Sequence, residues 1–306
     1  MDRFEAMSML VSVTETGSLS AASRALQVPL ATLSRKISDL EALLGTRLLT
    51  RTTRKLTLTD VGVAYVASAR RILEQVEEAE RTAAGEFTMP RGELVVTAPI
   101  MFGRLHVLPV VAGFLAAFPE INIRLALGDR NVNLVDDHVD MAVRIGKLPD
   151  SSMVATSIGT MRLVTCASPA LLAARGEPLE PAALGRFPCV AVGTPLPSPS
   201  WRFRDPRSGA AIDIPLQPRL TVTTTEAAVD AASLSVGVTR LLHYQVVDPV
   251  DRGQLRIILA AYEPEAAPVH LLHVSRGQMP LKMRRFLDFA APRLRQAIGA
   301  GLQPSA

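Results

Sequence analysis

Residues 18–45 read SLSAASRALQVPLATLSRKISDLEALLG. Ser20 to Leu26 is a short alanine-rich helix, Gln27-Val28 leaves room only for a turn, and Pro29 sits where a helix tolerates proline, in its first turn. From there Leu33, Ile37, Leu40 and Leu44 keep a 4-3-4 spacing, and Gly45 is a natural C-terminal stop. Two short helices across so tight a turn form a helix-turn-helix. Upstream, Phe4, Met7, Leu10 and Val11 recur at helical spacing, so residues 2–15 read as a first helix, closed by Thr16-Gly17-Ser18. Downstream, residues 47–58 are rich in threonine and basic side chains and end in a Leu-Thr-Leu alternation, which predicts a two-stranded wing with a basic tip.

With Ile37 inward, steps of about 100° per residue place Leu33, Leu40 and Leu44 on the buried side of the 29–44 helix. Ala31, Thr32, Ser34, Arg35, Lys36 and Ser38 fall on the other side or its flanks. Small residues early in a helix allow close approach to a groove. An arginine can bond guanine bidentately, and a threonine offers a methyl or a hydroxyl. In the wing, Arg51, Thr52, Thr53, Arg54 and Lys55 suit phosphate or minor-groove contact. The charge agrees. Over the whole chain the net charge of +4 is uninformative, but residues 24–59 carry seven basic residues against Asp39 and Glu41, a net of +5. Residues 74–80 hold Glu74, Glu77, Glu78 and Glu80 and no basic residue. A compact basic footprint followed by an acidic patch is the electrostatic signature of a polyanion reader.

Thr59 or Asp60 caps a helix of about 25 residues. Its apolar positions Val61, Tyr65, Ala69, Ile72, Val76, Ala79 and Ala83 are spaced 4-4-3-4-3-4, close to a heptad seam. So narrow a stripe predicts pairing with a second chain, with packing on its own domain as the alternative. A hinge is expected at 86–91. From residue 92 strand and helix alternate: strands at 94–96, 121–127, 141–145, 163–166, 190–192, 236–238 and 270–274, helices at 102–118, 225–234 and 280–300, and proline-rich loops and edge strands over 193–218. The fold class expected is therefore α/β, with an N-terminal all-α winged helix-turn-helix.

The order and spacing of Gly17-Ser18-Leu19-Ser20-Ala21-Ala22-Ser23-Arg24-Ala25-Leu26, Leu33-Ser34-Arg35-Lys36-Ile37, Leu40-Glu41, Leu44-Gly45, Arg51-Thr52-Thr53-Arg54, Leu58-Thr59 and Gly62 resemble the N-terminal signature of LysR-type transcriptional regulators. That resemblance implies a DNA-binding domain over 1–59, a dimerising linker helix over 60–85, and an effector-binding domain over 92–306 of the type-2 periplasmic-binding fold. Its subdomain I would take about 92–162 and 267–306, and its subdomain II about 163–266. The sequence departs from the family pattern at Pro29-Leu30, where Ser-Gln is frequent, so the operator preference carried by this turn should differ, since leucine reads no hydrogen-bonding edge. Leu49 stands where phenylalanine is common, a packing difference.

In the family the effector lies between the subdomains. The matching positions are Pro99, Ile100, Met101, Phe102, Gly146, Thr194, Thr224, Thr225, Val238 and Thr239. Thr224 and Thr225 open a helix, whose N-terminus favours an anion and so suggests a carboxylate-bearing effector. Ile100 and Met101 replace frequent hydroxyl residues, which suits an effector with an apolar or aromatic body. The partners implied are double-stranded DNA, a small-molecule effector, a second copy or a tetramer of this chain, and RNA polymerase, all in the cytoplasm. No cofactor or metal is called for.

Other classes are disfavoured. Hydrophobic residues make up 48% and charged residues 20% of 306 residues, a globular rather than a disordered composition. No membrane span and no secretory signal are expected from the apolar runs. Cys166 and Cys189 make no disulfide or metal framework, and 4% aromatics are too few for a base-stacking platform. His270 and His273, three apart on a strand, face opposite sides and cannot share a metal. Glu226 and Asp230 share a helix face but lack a third ligand, and no nucleophile elbow, phosphate loop or dinucleotide fingerprint occurs. The remaining alternative is a cytoplasmic metabolite-binding or enzymatic α/β protein whose N-terminal domain only oligomerises.

Overall fold

The computed structural model describes residues 2–51, 56–83, 89–130, 133–134, 136–148, 153–193, 200–274 and 279–300. The wing tip 52–55, residues 86–88 of the expected hinge at 86–91, and Thr194 lie outside the described residues. Two compact units result, Met1–Gly92 and Glu93–Ala306.

In the first unit, α1 (Arg3–Thr16) starts at Asp2, whose carboxylate accepts the Phe4 and Glu5 amides at 2.9 and 3.3 Å. Ser18 caps α2 (Leu19–Ala25) by accepting the Ala21 amide at 3.1 Å. In α3 (Leu30–Leu44), Pro29 is the cap residue rather than part of the first turn, with extended backbone at φ −55° and ψ 136°. The turn between α2 and α3 is tied by Ser23, whose hydroxyl donates to the Val28 carbonyl at 2.6 Å, while Gln27 takes a φ of +54°.

Leu33, Ile37 and Leu40 are fully buried among Ala6, Met9, Leu10, Val13, Ala22, Leu48, Leu49 and Val66. Each such side chain contributes about 1.5–3 kcal/mol of hydrophobic stabilisation. Leu44 departs from the expected stripe. It is 39% exposed, beside Leu43 at 52%, because the last turn of α3 runs past this core before Gly45 (φ +66°) ends it. The wing strands β1 (Leu49–Arg51) and β2 (Leu56–Leu58) pair antiparallel, Leu49 opposite Leu58. α4 (Asp60–Ala83) follows, capped by Thr59, whose hydroxyl accepts the Gly62 amide at 2.9 Å.

The second unit begins with β3 (Gly92–Ala98), then α5 (Ile100–Phe102), a π-helical turn Gly103–Val107 and α6 (Leu108–Ala117), which run on with right-handed backbone at the joints. The wide turn sits ahead of Pro109, where an α-helical turn would meet the proline ring and lack its hydrogen bond. The stretch Ile100–Ala117 has a mean hydropathy of 1.7, and its length and composition are ones that a core helix and a membrane-crossing helix share. Its inner side, Phe102, Val107, Val110, Val111 and Phe114, packs into the core over β3.

The chain continues through β4 (Ile121–Leu127), β5 (Met141–Ile145) and β6 (Met153–Met161), then β7 (Leu163–Ala167), α7 (Pro169–Arg175), β8 (Cys189–Val192), β9 (Ser200–Arg204), β10 (Ala211–Pro215) and β11 (Pro218–Val222). It ends through α8 (Thr225–Ser233), β12 (Val238–Leu242), α9 (Val247–Asp251), β13 (Arg256–Ile258), β14 (Ala267–Val274) and α10 (Leu281–Ala300). Two five-stranded mixed sheets form, ordered β4-β3-β5-β14-β6 and β11-β8-β12-β7-β13. A separate hairpin, β9 with β10, sets Trp201 opposite Ile214. The chain leaves the first sheet at Arg162 and returns between Ile258 and Ala267. These two crossings are clamped together: Arg162 Nε and Nη2 donate to the two Glu263 carboxylate oxygens at 2.9 and 2.7 Å, and this pairing raises the guanidinium pKa.

Candidate nucleic-acid interface and effector cleft

α3 offers a graded face. Ala31, Arg35 and Ser38 are exposed, and Thr32, Ser34 and Lys36 are half-buried at its flanks. Leu30, at the start of the helix, is 45% exposed. Lys36 is engaged: its ammonium donates to Glu5 of α1. Arg35 is therefore the most open cation among these candidates. The backbone of Arg51 lies in β1, while Thr52, Thr53, Arg54 and Lys55 are outside the described residues. Glu41, not singled out from sequence as a functional residue, ties α3 to the wing. Its Oε1 accepts the amides of Leu48 and Leu49 at 2.8 and 2.9 Å. The eight-residue reach to Leu49 is a loop closure that no helical period reveals.

The seam expected on α4 divides in two. Ala69 is buried and Tyr65 half-buried against α1 and the rest of the N-terminal core, beside Val66, so these two do not belong to a free stripe. The Arg70 guanidinium adds an ion pair to Glu15 of α1 at 3.2 Å. Val61 (52%), Ile72 (36%) and Ala79 remain exposed, Val76 is half-buried, and the side chain of Ala83 is outside the described set. At 100° per residue, the exposed Val61, Ala64, Ile72 and Ala79 share one side with half-buried Ser68, rotated away from the face spent on α1.

In the second unit the loop after β3 faces α8 across the two sheets. The Thr225 hydroxyl lies 3.9 Å from Met101 Sδ, joining residues 124 apart in sequence. The Tyr244 ring meets Phe102 edge-on at 5.5 Å and His106 at 5.6 Å. Pro99, Ile100, Met101, Thr224 and Thr225 are partly exposed here, and Gly146 takes a φ of +113° while donating to the Pro268 carbonyl at 2.8 Å. Three expected lining residues turn away. Phe102 is sealed under Tyr244 and His106, and Val238 is fully buried beside Phe203 and Leu184. Thr239 is also fully buried, and its hydroxyl donates to the Val190 carbonyl at 3.1 Å.

The helix ends at this cleft are already served. Thr224 Oγ1 accepts the Ala227 amide at 3.3 Å, Glu226 places a carboxylate in the first turn of α8, and Asp129 accepts the Ile100 amide at 3.0 Å. Burial raises the Tyr244 pKa, and Asp129 and Glu226 push it the same way. Burial lowers that of His106. Resident acids thus stand at the helix end where Thr224 and Thr225 are expected to meet a carboxylate, and they offset part of the helix dipole there. Among the described residues, no three His, Cys, Asp or Glu side chains gather as a metal site. Cys166 and Cys189 are buried, and their thiols are pushed up to about 12 and about 11, far from the range of a reactive thiolate.

Two family models match the chain. Residues 4–63 match the bacterial regulatory helix-turn-helix protein of the lysR family, and residues 88–295 the LysR substrate binding domain. An HTH-type transcriptional regulator of Xanthomonas campestris pv. campestris is 34% identical over 94% of this chain and 84% of its own length. An HTH-type transcriptional repressor of Pseudomonas aeruginosa is 32% identical over 94% and 91%. Among solved structures, CrgA, a LysR-type transcriptional regulator from Neisseria meningitidis, superposes with a TM-score of 0.60 at 30% identity, covering 95% of this chain and 98% of that one. The N-terminal helix-turn-helix and the paired five-stranded sheets are thus the reading and sensing halves of one known design, and the chain belongs to the LysR family of transcriptional regulators, which couple DNA binding to a small-molecule effector.

Proposed function

We propose that this regulator works in the cytoplasm as a homodimer or a pair of dimers, reading an interrupted palindrome and contacting RNA polymerase. The observation that carries the DNA assignment is the exposed face of α3, with Arg35 open and Leu33, Ile37 and Leu40 holding the opposite side in the core. Arg35 is assigned to base reading, with Ala31, Thr32 and Ser38 allowing close approach, and the wing to phosphate. The α4 stripe of exposed Val61, Ala64, Ile72 and Ala79, with Ser68 half-buried among them, supports pairing of linker helices, which sets two reading heads on two half-sites. We assign DNA reading to 1–59, pairing to 60–85 and sensing to 92–306.

The effector is assigned to the cleft by Pro99, Ile100, Met101, Gly146, Thr224 and Thr225, and the two sheets move about the Arg162–Glu263 clamp. The switch requires different affinities for the open and closed states. The test is DNA affinity against salt on the chain's own upstream region. Specific binding should fall by about 0.9 log units per phosphate contact for each log unit of salt, and exceed binding to random DNA of equal length. Equal affinity for both DNAs at moderate salt refutes the reading.

A further inference from the structure

At the crossover end of the first sheet, β5 and β14 pair antiparallel with Arg144 directly opposite His270. Partners in such a pair project from the same face, with Cβ atoms about 4.5–5.5 Å apart. That face is the one carrying Ala142 and Leu272, away from the α6 and α10 side. Both residues are half-buried. Arg144 Nη2 and His270 Nδ1 are sealed from solvent, and neither has a hydrogen-bond partner, including each other. The guanidinium makes one contact, from Nη1 to the carbonyl of its own neighbour Val143 at 3.3 Å. No carboxylate among the described residues offsets it, and burial lowers its pKa. A half-buried cation without a counter-charge and a sealed ring nitrogen without a partner are both unfavourable. Here they stand side by side, two residues before Gly146, where the chain bends at φ +113°.

We propose that Arg144 and His270 form an oxyanion subsite that takes the carboxylate, phosphate or sulfate group of a small ligand. The guanidinium fork matches two oxygens of such a group, and the imidazole N–H supplies a further donor to one of them. The pair adjoins the loop after β3, since Thr97 pairs with Ala142 two residues before Arg144, but it draws on neither helix end there, which Asp129, Thr224 and Glu226 already serve. It rests on the effector-domain reading only for the source of the anion, which is either a free inorganic ion or the head group of an organic effector.

The test is binding to the full-length protein without DNA, by calorimetry and thermal shift, at constant ionic strength with chloride as the background. Sulfate, inorganic phosphate, acetate and benzoate are the probes, and Arg144→Gln and His270→Gln the variants. The expected result is saturable binding by wild type, weakened about tenfold or more in Arg144→Gln. Melting of unliganded Arg144→Gln should lie at or above wild type, since an uncompensated charge is removed. Equal shifts from inorganic and organic anions identify a free ion. A shift confined to benzoate identifies an effector head group. No saturable binding by wild type, or equal binding by wild type and His270→Gln together with any folded Arg144→Gln, overturns the subsite. Binding that leaves operator affinity unchanged counts against the effector reading and leaves the subsite standing.

Discussion

Replacing Glu41 by alanine removes the one acceptor shared by the amides of Leu48 and Leu49 at 2.8 and 2.9 Å. Both leucines are buried, at 0% and 4% exposure, so no direct access to bulk water replaces the lost carboxylate. A hydrogen bond to a charged group contributes about 1.5–3 kcal/mol. Two of them on a half-buried carboxylate place the loss at about 2–4 kcal/mol, the lower end reflecting solvent access to Glu41. At the middle of that range the folded fraction of this unit falls by about two orders of magnitude relative to its unfolded form. Glu41→Gln keeps a carbonyl oxygen in the same place and should retain most of the stability. Hydrogen exchange read at the Leu48 and Leu49 amides measures this where it acts. Protection should fall about 100-fold in Glu41→Ala and less than about tenfold in Glu41→Gln. An alanine variant within about 0.5 kcal/mol of wild type, with both amides still protected, would show that Glu41 does not hold the wing to the reading helix.

Gly62→Ala should destabilise the N-terminal unit by roughly 1–2 kcal/mol despite the better helix propensity of alanine, because its Cβ would lie 2.1 Å from the Leu48 carbonyl oxygen, a backbone atom. Gly113→Ala, where the new Cβ meets the Phe289 ring at ordinary van der Waals distance, Cζ at 3.5 Å and Cε1 at 3.7 Å, should instead gain up to about 1 kcal/mol, and chemical denaturation compares the two. Arg35→Ala should relax base preference at one operator position, whereas Lys36→Ala should cost less DNA affinity, since Lys36 is held by Glu5; selection from randomised operators that finds no change for Arg35→Ala refutes the assignment. Alkaline stability carries a sign: burial raises the Cys166 thiol to about 12, so above about pH 8.5 the unfolded chain releases a proton that the native chain keeps. Stability therefore falls as pH rises, by about 1.4 kcal/mol per unit for this thiol, and a Cys166→Ala melting series between about pH 9 and 10.5 should slope less steeply than wild type.

What periodicity can carry was legible before any coordinates. Leu33, Ile37 and Leu40 repeat on a helical face, and that face is the core. Leu44 follows the same rhythm and is exposed, because a period says nothing of where the neighbouring elements end. The same gap explains α4: Tyr65 and Ala69 fit a heptad, yet α1 covers them. In the effector domain most core strands were readable as apolar runs, but β6, whose Ala-Thr-Ser-Ile-Gly-Thr stretch alternates weakly on a sheet edge, and the three-residue β13 were not, and the strand expected at 236–238 meets β12 only at Val238. Side-chain direction was not readable. Phe102, Val238 and Thr239 occupy positions that border a cleft in chain order, but ring stacking and strand register turn them inward. Arg144 and His270 are 126 residues apart, and only the pairing of β5 with β14 brings them together.

The hairpin of β9 and β10 has an optical consequence. Trp201 is the chain's single tryptophan, and it sits half-buried against Phe203, Ile212 and Ile214 in the sensing half. The DNA-reading unit has none, so red-edge excitation illuminates one indole and leaves the other unit dark. Ligand titrations therefore have a built-in emitter, with no dye or label attached. Operator DNA added to the same cuvette binds a unit that contributes no tryptophan light. Any change in Trp201 emission on adding it would be a signal sent from the reading head to the sensor, the reverse of the direction in which the effector acts and, by linkage, its thermodynamic equal.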